Sequence, residues 1–129
     1  MRTWLASSCS RVLRGTNRLA EAEPLYRGAL EISEKSYGKD HPTVAIRLNN
    51  LARLLQATNR LAEAEPLLRR AVKIFVEFQI LTVHQHPHLK QTIENYRELL
   101  EEMGRTEEEA EAEIQKVTME AEQEAGKQG

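Results

Sequence analysis

Along the middle of the chain, apolar and small side chains fall at Leu48, Leu51, Ala52 and Leu55, and they resume at Leu61, Ala64, Leu68 and Ala71 after Thr58-Asn59-Arg60. Steps of three and four place each set on one face of a helix. The pattern predicts two amphipathic helices joined by a short turn. The first begins near His41-Pro42, because proline suits the first helical turn, where its missing N–H has no partner to lose. Ala52 and Ala64 are small where the two helices must approach, while Leu48, Leu51, Leu55, Leu68 and Ala71 fill the seam.

This unit has copies on both sides. The string TNRLAEAEPL occupies residues 16–25 and returns unchanged at 58–67, a spacing of 42. Identity at that period marks an internal repeat, and a helical hairpin of that size must stack on others to bury its apolar face. The same spacing sets Cys9 under Leu51, Ser10 under Ala52, Val12 under Leu54 and Leu13 under Leu55. Residues 1–15 therefore read as a degenerate first helix. Arg2, Arg11 and Arg14, with no acid before Glu21, give the stretch a superficial likeness to a transit peptide.

In the third unit His86-Pro87 repeats His41-Pro42 at a spacing of 45, and Ile93, Tyr96, Leu99 and Leu100 restate the apolar face. Arg97 stands where Ala52 stood, which interrupts the close-packing position. Thr106 and Glu109 have the spacing of a capping box, in which each residue satisfies the other's free backbone N–H. The stripe behind them, Ala110, Ile114, Val117 and Ala121, is narrow and otherwise acidic, as a terminal capping helix should be. The units predicted are 1–36, 41–83 and 86–125, in one domain, with fraying over 126–129.

Two stretches strain the pattern. Pro24 and Pro66 lie inside second helices, where proline delays or bends a helix. Residues 75–85, FVEFQILTVHQ, replace the expected turn; their apolar Phe75, Phe78, Ile80, Leu81 and Val83 are expected to extend the helix and cover the junction with unit three, the alternative being that part of the run is exposed as a partner surface.

Residues 37–74, YGKDHPTVAIRLNNLARLLQATNRLAEAEPLLRRAVKI, resemble the tetratricopeptide repeat in its longer, kinesin-light-chain-like form, through the DHP lead-in, the LNNLA helix and the AEAEPL helix. Leu48, Leu51, Ala52, Leu55, Ala64, Leu68 and Ala71 sit at the packing positions of that repeat. The resemblance implies an all-α, right-handed superhelical stack of about three hairpins and a non-catalytic role in binding a peptide or protein segment. The same sequence is also open to a second reading, a structural or self-associating C-terminal fragment of a longer solenoid.

The first helices carry the candidate binding face. Opposite the seam of the second unit lie Asn49, Asn50, Arg53 and Gln56, and the repeat register adds Arg11 and Arg14 from the first unit and Asn95 from the third. In stacks of this family such a face lines the concave groove. Side-chain amides can hydrogen-bond an extended peptide, and the arginines can pair with its carboxylates, so an acidic segment is the expected ligand. The resemblance singles out Asn50 as the peptide-clasping amide.

Charge adds one feature. Residues 94–129 hold twelve Glu against four Lys and Arg, so a basic body carries an acidic end although the net charge is only −2. Such a field can steer an oppositely charged partner. The basic set lacks interleaved aromatics, which argues against nucleic acid. No apolar run reaches the roughly 20 residues needed to span a bilayer. Cys9 is the only cysteine, which excludes an internal disulfide and fits a reducing, cytoplasmic setting. His84, His86 and His88 alternate, but alternate residues share a side only in extended chain and no further ligands accompany them. No metal, cofactor or catalytic constellation is expected.

Overall fold

The computed structural model describes the backbone of residues 2–128 and the side chains of residues 19–127. Five helices follow one another: α1 (Arg2–Tyr37), α2 (Pro42–Ala57), α3 (Leu61–Thr82), α4 (Leu89–Glu102) and α5 (Glu107–Gln128), with no strand among the described residues. Helices α2 and α3 form one hairpin and α4 and α5 a second, with α3 packed against both helices of the second pair and α1 against α2.

The expected start of α2 is present in detail. His41 is the N-cap, its Nδ1 accepting from the Thr43 N–H at 3.1 Å, and Pro42 opens the helix. The helix ends in a Schellman turn: Arg60 N–H donates to the Leu55 carbonyl at 2.8 Å and Asn59 N–H to that of Gln56 at 3.0 Å. Asn59 takes φ 62°, a left-handed conformation that asparagine tolerates better than most residues. The second hairpin repeats the device, with Gly104 at φ 93° and Arg105 N–H bonded to the Leu100 carbonyl. Pro66 neither delays nor ends α3, which begins at Leu61 and continues to Thr82.

One core runs through these four helices. Leu48, Leu51, Ala52 and Leu55 from α2 meet Ala64, Leu68, Ala71 and Phe75 from α3, and Tyr96, Leu99 and Leu100 from α4 join them. The capping helix contributes Ala110, Ile114, Val117 and Ala121, all buried as predicted. Complete burial of one leucine or phenylalanine is worth about 1.5–3 kcal/mol, so this shared seam is the main support of the stack.

Three expectations are corrected. The tripeptide that turns the chain at 58–60 is continuous helix at 16–18, so α1 is a single helix where a hairpin was predicted. The turn sequence alone does not decide; the seam behind it does. Leu48, Leu51 and Leu55 hold α2 against α3, whereas the corresponding residues of α1 are Ala6, Cys9 and Leu13. Second, the run after Phe75 only partly covers the junction. Phe75 is buried and Phe78 half-buried, but Ile80, Leu81 and Val83 are exposed. Third, α4 begins at Leu89 rather than at His86-Pro87, although His86 Nδ1 accepts from the His88 N–H as His41 Nδ1 does from that of Thr43. At the other end α5 stays helical past Gly126 to Gln128.

The opposed charges of body and end are used within the chain. Arg69 and Lys73 of α3 pair with Glu120, at 2.9 Å, and Glu124, at 2.6 Å, of α5. On the other side of α3, Arg60 and Arg70 pair with Glu23 and Glu34 of α1. Arg97, the intruder at the alanine position, is held between Glu94 and Glu111.

Candidate functional site

The predicted groove residues fall into two groups. Asn49 and Asn95 meet each other: the Asn95 amide N–H donates to Asn49 Oδ1 at 3.0 Å, and Asn95 Oδ1 accepts from Gln91 at 3.0 Å. Asn95 is only 5% exposed. One turn pair further along, Gln56 donates to Glu102 at 2.6 Å. These side chains are rungs between the first helices of neighbouring units, each engaged with the helix beside it.

Asn50 and Arg53 differ. Both are exposed, and neither has a side-chain hydrogen bond or ion pair with another described residue. They lie together on one wall of a cleft of about 290 Å³, with Leu54 and Ala57 beside them on α2 and Leu19 and Tyr26 opposite on α1. The cleft therefore has an apolar floor, one amide and one guanidinium. It can accept an apolar side chain, hydrogen-bond a peptide group and pair with a carboxylate.

The repeat register explains why Asn50 has no such partner among the described residues. Asn95 lies 45 residues after Asn50, so both occupy the same position in successive units. Asn95 finds Asn49 on the helix before it, whereas Asn50 faces α1, whose described residues on the cleft, Leu19 and Tyr26, carry no amide. Arg11 and Arg14, which the register assigns to the same groove, lie outside the residues whose side chains are described. The sequence pattern did not separate spent rungs from free groups, because that depends on which helix stands next. Tyr26, also absent from the predicted set, is a residue that the register alone could have indicated: it aligns with core Leu68 at the repeat spacing.

A family model described as tetratricopeptide repeat matches residues 9–75. The chain belongs to the tetratricopeptide repeat family. The match begins within the first half of α1 and runs through α2 into α3, so it includes the cleft. No curated protein matches the chain. The all-α architecture of a tetratricopeptide solenoid agrees with the match, and a family of this kind supplies protein-interaction modules.

The histidine triplet has a structural account. His86 stacks on Phe75 with ring centroids 4.5 Å apart and meets Phe78 edge-on at 5.3 Å, while its Nδ1 accepts from the His88 N–H at 3.1 Å. Burial lowers its pKa, and His88 adds to that shift. Among the described residues no group of three or more His, Cys, Asp or Glu could hold a metal ion. No helix is long and apolar enough to cross a membrane among those residues.

Proposed function

We propose that this repeat stack is a non-catalytic module that binds a peptide or protein segment in the cleft between α1 and α2. The observation that carries the proposal is the pairing of Asn50 and Arg53, exposed and without a side-chain partner among the described residues, over the apolar floor of Leu19, Tyr26, Leu54 and Ala57. A short segment with an acidic residue beside an apolar one fits that chemistry: the carboxylate meets Arg53, the peptide backbone meets Asn50, and the apolar side chain enters the cleft. Asn49, Gln56 and Asn95 hold the wall in place rather than contact the ligand. The likeness to kinesin light chain repeats, whose grooves take short peptides, supports the same reading, and the single cysteine is compatible with work in the cytoplasm.

A peptide-library selection with the wild-type chain and an Asn50→Ala/Arg53→Glu variant tests this directly. Enrichment of acidic-apolar motifs by the wild type, lost in the variant, is expected. Equal enrichment by the two proteins, or none by either, would remove the cleft as the working surface.

A further inference from the structure

The cleft stands where a complete repeat unit has a helix. Leu61, Ala64, Leu68 and Ala71 of α3 form the seam on which α2 lies, and 42 residues earlier α1 carries Leu19, Ala22, Tyr26 and Ala29. Only Tyr26 differs from its counterpart. The surroundings differ more: Leu68 is fully buried whereas Tyr26 is 40% exposed, and Ala64 and Ala71 are buried where Ala22 and Ala29 are half-buried.

The opposite wall repeats in the same way. Asn50, Arg53, Leu54 and Ala57 of α2 lie 45 residues before Asn95, Glu98, Leu99 and Glu102 of α4. On α4 this face meets the first helix of the preceding unit: Asn95 donates to Asn49, Glu102 accepts from Gln56, and Leu99 is buried. On α2 the same face lines the cleft. Helix α1 runs unbroken through residues 16–18, where the second unit turns, so no helix of the described chain fills the place between the two walls.

We propose that the cleft takes an amphipathic α-helix of a partner protein, which stands in for the first helix of the first unit. The inference rests on the cleft being a binding site and specifies the form of its ligand. A seam nearly identical to that of α3 accepts the stripe that α3 accepts, leucines and one alanine at the spacing of Leu48, Leu51, Ala52 and Leu55. The backbone of a helix is already hydrogen-bonded, so Asn50 meets a side-chain amide, as Asn95 meets Asn49. That amide belongs at the place Asn49 has in α2, one residue after the first leucine of the stripe. One turn further on, at the place Arg53 has in α2, the incoming helix carries a carboxylate for Arg53 of the cleft.

A fluorescent synthetic peptide of residues 41–58 carrying Arg53→Glu supplies this pattern, and its anisotropy in a titration with the full chain reads binding. The peptide should bind, with a helical circular dichroism signal above the sum of the two components. By register, Asn50 of the peptide lies away from both walls. Asn50→Pro in the peptide should therefore weaken binding about a hundredfold by breaking the helix, while Asn50→Ala in the peptide leaves it unchanged. In the chain, Tyr26→Glu on one wall and Asn50→Ala/Arg53→Glu on the other should each weaken binding by about tenfold or more. All three positions are exposed, so circular dichroism should show the helices retained. A peptide that does not bind, or that binds equally well with Asn50→Pro, overturns the helical ligand. If library selection still yields ligands dependent on Asn50 and Arg53 of the chain, the cleft stands as a site for extended segments; if it yields none, both readings fall. A chain that doubles in mass with concentration in a manner dependent on Tyr26, and refuses the peptide, assigns the place to a second copy and likewise overturns the proposal.

Discussion

The Asn95 amide donates to Asn49 Oδ1 at 3.0 Å across two helices 46 residues apart in sequence, and this rung ties α4 to α2. Neighbouring first helices in the stack otherwise touch sparingly, since α3 lies between the hairpins and carries most of their contact. Replacing Asn95 by Ala leaves the half-buried Asn49 without this partner, which costs about 1–2 kcal/mol. Urea unfolding should show that loss. In a double-mutant cycle with Asn49→Ala, the combined loss should fall short of the sum, because the two side chains share one bond.

The cap of α5 is a reciprocal pair. Glu109 N–H donates to Thr106 Oγ1 and Thr106 N–H to Glu109 Oε1, both at 3.1 Å. Thr106→Ala removes one of these acceptors and should destabilise the chain by about 1 kcal/mol. The Thr106 backbone bond holds the Glu109 carboxyl below its usual range. Glu109 therefore stabilises the fold above the ordinary carboxylate pKa, and its contribution fades as pH falls through the lower folded value. Thermal unfolding of Glu109→Gln and wild type should accordingly converge on acidification.

That cap was legible from four letters of sequence, as were the hairpin seams, because local spacing determines both. Ala110, Ile114, Val117 and Ala121 needed only their period of three and four to be placed inside. What the sequence could not show was context. The same Thr-Asn-Arg is a turn at 58–60 and helix at 16–18, and the outcome depends on the apolar seam each has behind it rather than on its own preferences. The groove residues show the same limit. Periodicity put Asn49, Asn50, Arg53, Gln56 and Asn95 on a shared polar face, but only the neighbouring helix decides that Asn95 is buried in a rung while Asn50 is open.

Val83, at the end of α3, takes φ 62° and ψ 17°. A β-branched residue is poorly suited to the left-handed region, where its Cβ crowds the backbone. Its side chain is 85% exposed, so it returns little burial energy for the strain. Val83→Gly should relieve the backbone and stabilise the chain by about 1 kcal/mol, despite the greater freedom glycine gives the unfolded state. A rise in the urea midpoint at unchanged slope would confirm this; a fall would mean that the valine packs against something the exposed surface conceals.

Glu77 offers a pH-dependent test of how α5 is held on α3. It is 5% exposed, and burial together with its hydrogen bond to Glu124 raises its pKa to about 7, with Asp40 adding to the shift and Lys73 opposing it. The folded value lies above the ordinary 4.5, so the folded state binds the proton more tightly than the unfolded chain. The resulting stability is complete below about pH 4.5 and is lost as pH rises through about 7. Glu124 has the opposite sign: its hydrogen bond from Lys73 depresses its pKa, and its contribution fades on acidification. Comparing wild type with Glu77→Gln isolates the first effect. Glutamine keeps the shape and cannot ionise, so the variant should gain on wild type between pH 5 and pH 8 by roughly 2 kcal/mol in urea unfolding. If the difference between the two proteins is the same at both pH values, Glu77 titrates as an ordinary carboxylate and α5 does not press on it as the structure shows.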